Sequence, residues 1–162
     1  MKNSARLTTL FLMGMISLLS MITKADSNGM LETPEITAKR TEMHRLHMAI
    51  RSGDKAEIDK FLKSGVDINQ TAAMRLAIVM DRGDIVDLLL ENGADINGPD
   101  IGGDLPAEIA LQHGRLKIME HLVNKGANIN LHDRREKSLL EKARSHGKPE
   151  MVEFLMMHGA TQ

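Results

Sequence analysis

The feature that most constrains this chain is an internal repeat. Four segments align without gaps, and the turn glycine near the end of each one keeps the register: Gly65, Gly93, Gly126 and Gly159. The steps between these glycines are 28, 33 and 33 residues. Each unit contains two short stretches of apolar periodicity, and neither is long enough to form a stable helix alone. Because such a unit buries its apolar face only against its neighbours, the repeat predicts a stack of about four helix-turn-helix units.

The units cover residues 44–69, 72–97, 105–130 and 138–162. An alanine recurs at one position of every unit, which predicts a close approach of helices there: Ala49, Ala77, Ala110 and Ala143. An asparagine ends the first three units, and we expect its side chain to hydrogen-bond nearby backbone: Asn69, Asn97 and Asn130. Asp81 occupies a turn position that is glycine in the other units, and aspartate tolerates left-handed geometry better than most residues.

These positions carry a family resemblance. With the segment Leu46-His47-Met48-Ala49 and the segment from Ile85 to Asn97, residues 44–162 resemble an ankyrin-repeat array. The resemblance implies an all-α solenoid with short β-hairpin finger loops, and it implies that His47 hydrogen-bonds backbone between repeats. The family's Thr-Pro-Leu-His start survives only as Leu46-His47. The 28-residue step is five residues short, which predicts that the first finger is absent and that fingers remain at 95–104 and 128–137.

The N-terminus has the pattern of a secretory signal peptide over residues 1–25. Lys2 and Arg6 precede an uncharged apolar run from Leu7 to Ile22, which is short for a membrane-spanning helix. We expect cleavage after Ala25, which places the mature protein in the periplasm or outside the cell. The alternative is an uncleaved N-terminal helix that anchors the protein in a membrane.

A leader or capping segment, residues 26–43, follows the signal pattern. Thr33 is a suitable N-cap and Pro34 a suitable first helical residue, so a short capping helix is predicted over 34–43. At the other end of the array, the outer side of the segment from Lys148 to Gly159 is expected to face solvent as a terminal cap.

Composition excludes several functional classes. The chain has no Cys, which excludes a disulfide scaffold, a thiolate metal site and a Cys nucleophile. Removing residues 1–25 leaves 18 basic and 22 acidic residues, and with only three Phe and no Trp or Tyr there is little to stack on bases, so nucleic-acid binding is not expected. No phosphate-binding glycine loop, GxSxG or HExxH motif is present, so the protein is predicted not to be an enzyme.

The Met and His side chains leave open an alternative function in copper or haem binding. Seven His include His44 and His47 beside Met residues, and a pair 33 residues apart, His113 and His146. Such ligands suit copper or haem, although no cofactor is expected. Met residues at core positions of the repeat are Met48, Met74, Met119 and Met151, while Met80 is interpreted as an adaptable contact and Met156-Met157 as part of the terminal cap.

The resemblance implies that partners dock on the concave side, which in ankyrin arrays is formed by the finger tips and the last turn of each first helix. Carried over to this sequence, the partner-binding residues are Arg51 with Ser52, Val79, Met80, Ile101, Asp104, Gln112, His113, Arg134, Arg135, Lys137, Ser145 and His146. One end of this surface is basic, and we call it the basic patch: His132, Arg134, Arg135, Lys137, Arg144 and His146. Such a patch suits a carboxylate-rich protein surface.

The expected function is therefore that of a monomeric, non-enzymatic module outside the cytoplasm that binds another protein, without nucleic acid and without a membrane after signal cleavage. The resemblance to bacterial ankyrin proteins with signal peptides implies a role in stress protection through a catalase partner. Two alternatives are an inhibitor or immunity protein against a periplasmic toxin, and a haem or copper carrier that uses His113 and His146, with His132 between them.

Overall fold

The structure, a computed structural model, describes residues 33–70, 72–132 and 137–161. The signal segment 1–25 and the first part of the leader, residues 26–32, lie outside the described residues. The chain divides into two compact units, residues 1–44 and residues 45–162. Within the described residues, no helix has both the length and the apolar character needed to cross a bilayer.

Eight α-helices form the described chain, and a 3-10 turn covers Ile68–Gln70. Their bounds are α1 (Pro34–Ser52), α2 (Lys55–Lys63), α3 (Ala73–Val79), α4 (Gly83–Glu91), α5 (Pro106–Gln112), α6 (Leu116–Asn124), α7 (Leu139–Ser145) and α8 (Pro149–Met157). From α3 onward each repeat contributes one seven-residue and one nine-residue helix. The predicted all-α repeat fold is confirmed, whereas the β-hairpin fingers are not, since no described residue lies in a strand.

The predicted capping helix over 34–43 begins at the expected residue and does not end where expected. Thr33 caps it, because the backbone N–H of Ile36 donates to Thr33 Oγ1 at 3.3 Å, and Pro34 is its first residue. The helix then continues to Ser52. No helix-breaking residue follows Pro34 until Gly53, which has a φ of +78°, so nothing in the sequence ends the helix earlier.

In the second, third and fourth repeats the two helices pack against each other, and the first helices of these repeats also pack between repeats. The pairs α3–α4, α5–α6 and α7–α8 are in contact, and α5 contacts both α3 and α7. The recurring alanines Ala77, Ala110 and Ala143 have no exposed surface, and Ala49 is 5% exposed. The predicted role of these alanines is confirmed, because a larger side chain at a fully enclosed position would separate the helices.

The asparagines that end the first three repeats bond across to the next repeat. Asn69 Oδ1 accepts from the backbone N–H of Asp95, and Asn97 Oδ1 accepts from that of Asn128, both at 2.8 Å. Asn130 Oδ1 accepts from the backbone N–H of Thr161 at 2.8 Å. Hydrogen bonding to backbone was predicted, but the expected partner was nearby in the sequence. The partners are instead 26 to 31 residues away, so these side chains join neighbouring repeats.

Four methionines were expected in the core, and two lie there. Met119 and Met151 are buried, whereas Met74 is half-buried. The prediction for Met48 is wrong, because its side chain is 52% exposed. Ile109 has the same register in α5 and is fully buried, since α5 contacts a first helix on each side. No helical repeat unit precedes the first repeat within the described residues, so Met48 lacks this second neighbour.

Candidate partner-binding surface

The first helices end side by side, which brings their last residues into one row. We call Met80, His113 and His146 the helix-end row, because they are the C-caps of α3, α5 and α7. Met80 is 41% exposed, and both histidines are exposed. Arg51 and Ser52 end α1 at the corresponding place and are also exposed. The stacking thus presents a thioether and two imidazoles to solvent on the side where first helices meet.

The residues that directly precede the helix-end row differ in how exposed they are. Gln112 is exposed, and Ser145 is exposed while its hydroxyl donates to the carbonyl oxygen of Lys142 at 3.0 Å. Val79 is half-buried, and its carbonyl oxygen accepts hydrogen bonds from Arg115 Nε at 3.0 Å and Arg115 Nη2 at 2.7 Å. Val79 therefore contributes mainly to the contact between the second and third repeats.

Arg115 belongs to a set of basic residues that the sequence analysis missed. Arg82, Arg115 and Lys148 are the N-cap residues of α4, α6 and α8. The guanidinium of Arg82 fills the space that a Cβ on Gly53 would need, and Lys148 Nζ lies 3.1 Å from the position of a Cβ on Gly114. Each cation therefore reaches back to the turn that ends the preceding first helix, where exposed carbonyl groups favour positive charge. Their 33-residue recurrence is visible in the alignment and could have identified them.

The loop after the second repeat is held by a charged clamp. Arg75 Nε donates to Asp100 Oδ2, and Arg75 Nη2 donates to Asp104 Oδ2. Asp100 Oδ1 also accepts from the backbone N–H groups of Gly102 at 2.8 Å and Asp104 at 3.0 Å. The loop is therefore a tight turn closed by side-chain bonds, with Ile101 68% exposed within it. Asp104, expected to contact a partner, is paired with Arg75.

Electrostatics at this clamp favours the ionised forms. Burial raises the pKa of the Asp100 carboxyl, but the hydrogen bonds from Arg75 and from the Asp104 backbone N–H outweigh it, so the pKa lies below its usual range. The hydrogen bond to Asp100 raises the pKa of Arg75. The clamp is therefore charged at neutral pH, and the loop is fixed before any partner binds.

The register position of His47 is filled differently in each later repeat. His47 itself is half-buried, and the counterparts are Arg75, Glu108 and Glu141. Glu108 Oε2 accepts from the backbone N–H of Leu105 at 3.0 Å, and Glu141 Oε2 accepts from that of Ser138 at 3.1 Å. Both glutamates thus cap the start of a first helix.

The basic patch is only partly within the described residues. Arg134 and Arg135 lie outside them. His132, Lys137, Arg144 and His146 are exposed. Within the part of the chain that the structure describes, no group of three or more His, Cys, Asp or Glu side chains is arranged to hold a metal ion.

A comparison with known families agrees with this architecture. A family model for ankyrin repeats, with three copies, matches residues 46–133, which is more than half of the chain. The comparison with curated proteins gives no match.

Proposed function

Since the chain belongs to the ankyrin-repeat family, we propose that it is a non-enzymatic module that binds another protein outside the cytoplasm. Ankyrin repeats generally mediate protein–protein interaction. The observation that carries the proposal is the helix-end row. Its thioether and two imidazoles are exposed, and buried alanines hold the helices that carry them close together, so the row can contact a partner without rearranging the stack.

The clamped loop supports the same surface. Ile101 is the exposed apolar residue of a turn that Arg75 already holds in place. A partner that buries Ile101 therefore does not have to order the loop, and the entropy cost of binding is low. The basic patch adds positive charge at one end of the surface, which favours a partner with exposed carboxylates and a fast encounter.

Site-specific photo-crosslinking tests the proposed surface. A photoreactive residue at Met80 or His113 is expected to give a covalent adduct with a single partner in producing cells. The matched control is Lys117, an exposed residue on α6, the second helix of the third repeat. Adducts that form from Lys117 alone, or equally from all three positions, would contradict the surface.

The charge of the basic patch is tested separately. The double variant Arg134→Glu/Arg135→Glu is expected to recover at least about tenfold less partner than the parent chain, because like charges now face the partner. Lys39→Glu/Lys117→Glu is the control, since it reverses two exposed charges outside the patch that have no ion pair with a described residue. Equal recovery by the parent and the patch variant would remove the patch from the proposal.

The location outside the cytoplasm depends on the signal pattern of residues 1–25. Cell fractionation with N-terminal sequencing is expected to find a soluble chain that begins at Asp26. An intact N-terminus in the membrane fraction would indicate the uncleaved anchor instead. An intact chain in the cytosol would contradict the location.

A further inference from the structure

The outward face of the last repeat combines two kinds of surface, and the second helix supplies an apolar one. Val152 in α8 has the register of Met119 in α6, which is fully buried, yet Val152 is only half-buried. Met156 is 56% exposed, whereas its counterpart Val123 is half-buried. Met157, at the register of the exposed polar Asn124, is 71% exposed. The outward side of α8 therefore exposes apolar side chains, whereas the outer face of a terminal repeat is usually polar.

The first helix of the same repeat has the opposite character. Lys142 and Arg144 in α7 have the register of Ile109 and Leu111 in α5, which are both fully buried. A further repeat stacked like the others would place its first helix against α7 and enclose Arg144 where Leu111 is enclosed. Burying that charge without a partner is costly, so this face is poorly suited to another repeat of the same kind.

The apolar stripe on α8 forms a shallow groove with opposite charges along it. The groove has a volume of about 580 Å³, and its lining includes the apolar Val152, Met156 and Met157 together with the charged Arg144, Lys148 and Glu153. Neither Arg144 nor Glu153 forms an ion pair with any residue among 33–70, 72–132 and 137–161. A surface that presents charges of both signs beside an apolar centre can be complementary to itself, because a two-fold rotation can bring Arg144 of one copy opposite Glu153 of the other.

We propose that this face binds the same face of a second copy of the chain, about a two-fold axis close to Val152. Arg144 then lies opposite Glu153 of the partner subunit, and the exposed thioethers of Met156 and Met157 pack across the axis. The contact uses none of the helix-end residues Met80, His113 and His146, although Arg144 also belongs to the basic patch, and it does not depend on the proposed function. A dimer of this kind differs from the monomer that is predicted from the sequence.

Sedimentation analysis of the full chain tests the apolar part of the contact. Between about 1 and 100 µM the parent chain is expected to convert from monomer to dimer. Met156→Glu/Met157→Glu is expected to raise the dimer Kd at least about tenfold, or 1.4 kcal/mol. The control is Asn124→Glu, at the register of Met157 in α6, and it is expected to leave the dimer Kd unchanged. The counterpart of Met156, Val123, is not substituted because it lies at a repeat junction. Association through residues 1–32 is common to all variants and is not affected by these substitutions.

Charge reversal tests the pairing itself. Arg144→Glu and Glu153→Lys are each expected to weaken the dimer, whereas the double variant restores it, because both charges are exchanged on both copies. Glu120→Lys, at the register of Glu153 in α6, is the control and leaves association unchanged. Circular dichroism and urea midpoints at low concentration show whether each variant is folded, and the restored double variant excludes loss of folding as the cause.

A cysteine provides a geometric readout that does not depend on affinity. The chain has no Cys, so Val152→Cys introduces the only thiol. Near a two-fold axis two such residues approach within disulfide distance, and a linked dimer is expected on mild oxidation. Asn124→Cys is the control and is expected to give no disulfide-linked dimer. A parent chain that is monomeric throughout the concentration range, assemblies that grow beyond dimers, or a dimer that none of the substitutions weakens would each overturn the proposal.

Discussion

The third and fourth repeats share one backbone plan and differ in what surrounds it. In α5, every residue from Pro106 to Leu111 is buried, because first helices lie on both sides. In α7 only Leu139, Leu140 and Ala143 are buried, and Arg144 is exposed where Leu111 is enclosed. Position in the stack, more than the sequence of the individual helix, therefore decides which register positions must be apolar.

The second helices of the same two repeats also differ in burial. Met119 in α6 is enclosed by the stack, and Val152, at the same register of α8, keeps part of its surface exposed. The fourth repeat is therefore capped by polar residues on its first helix and left apolar on its second. That difference within one repeat is the basis of the proposed self-association.

The largest difference in stability is expected between two substitutions at one register of the third and fourth repeats. Leu111→Ala is expected to lower the free energy of unfolding by about 2–5 kcal/mol, because it leaves a cavity in the enclosed middle of the stack. Arg144→Ala at the end of the stack is expected to change it by about 0.5 kcal/mol or less, since the side chain is exposed. Urea unfolding measured at low protein concentration gives both values. Equal losses would show that the two repeats are enclosed to the same degree.

A smaller effect is expected from the two capping glutamates. Glu108 is 3% exposed and pairs with Lys142, so Glu108→Ala removes both a buried ion pair and the helix cap, at a cost of about 2–3 kcal/mol. Glu141→Ala in the exposed fourth repeat loses mainly the cap, at about 1 kcal/mol. Thermal or urea unfolding compares the two. A larger loss for Glu141→Ala would contradict the ranking of the repeats.

The smallest effect is a pH dependence at the junction between the second and third repeats. Asp100 has a pKa below its unfolded value of about 3.9, so its ion pair with Arg75 stabilises the fold above that value and is lost as the pH falls through the folded pKa. Asp100→Asn is expected to cost about 1 kcal/mol at pH 7 and progressively less below about pH 4. Glu120→Gln is the control, because Glu120 is exposed and has no ion pair with a described residue. A cost for Asp100→Asn that does not change between pH 7 and pH 3 would exclude the charged clamp.

Much of the fold could be predicted from the sequence because the same local signals recur at a fixed spacing. The buried alanines, the left-handed turn at Asp81 with a φ of +59° and the helix pair of each repeat all follow from residues within one unit. The candidate site was predicted less completely. His113 and His146 occupy the expected row, but the pairing of Asp104 with Arg75 depends on residues 29 positions apart. Periodicity alone does not reveal such a contact.

By itself the sequence determined the repeat length, the helix pair of each repeat, the cap at Thr33 and the positions where helices approach, because each of these depends on steric and hydrogen-bonding preferences within a few residues. The tertiary structure decided which equivalent positions are enclosed, where the asparagines and the N-cap cations reach, and that the last repeat keeps an apolar second helix facing outward. The physical reason is that burial and long-range hydrogen bonds depend on whether a neighbouring repeat is present, and repeats with similar local sequences differ in their neighbours.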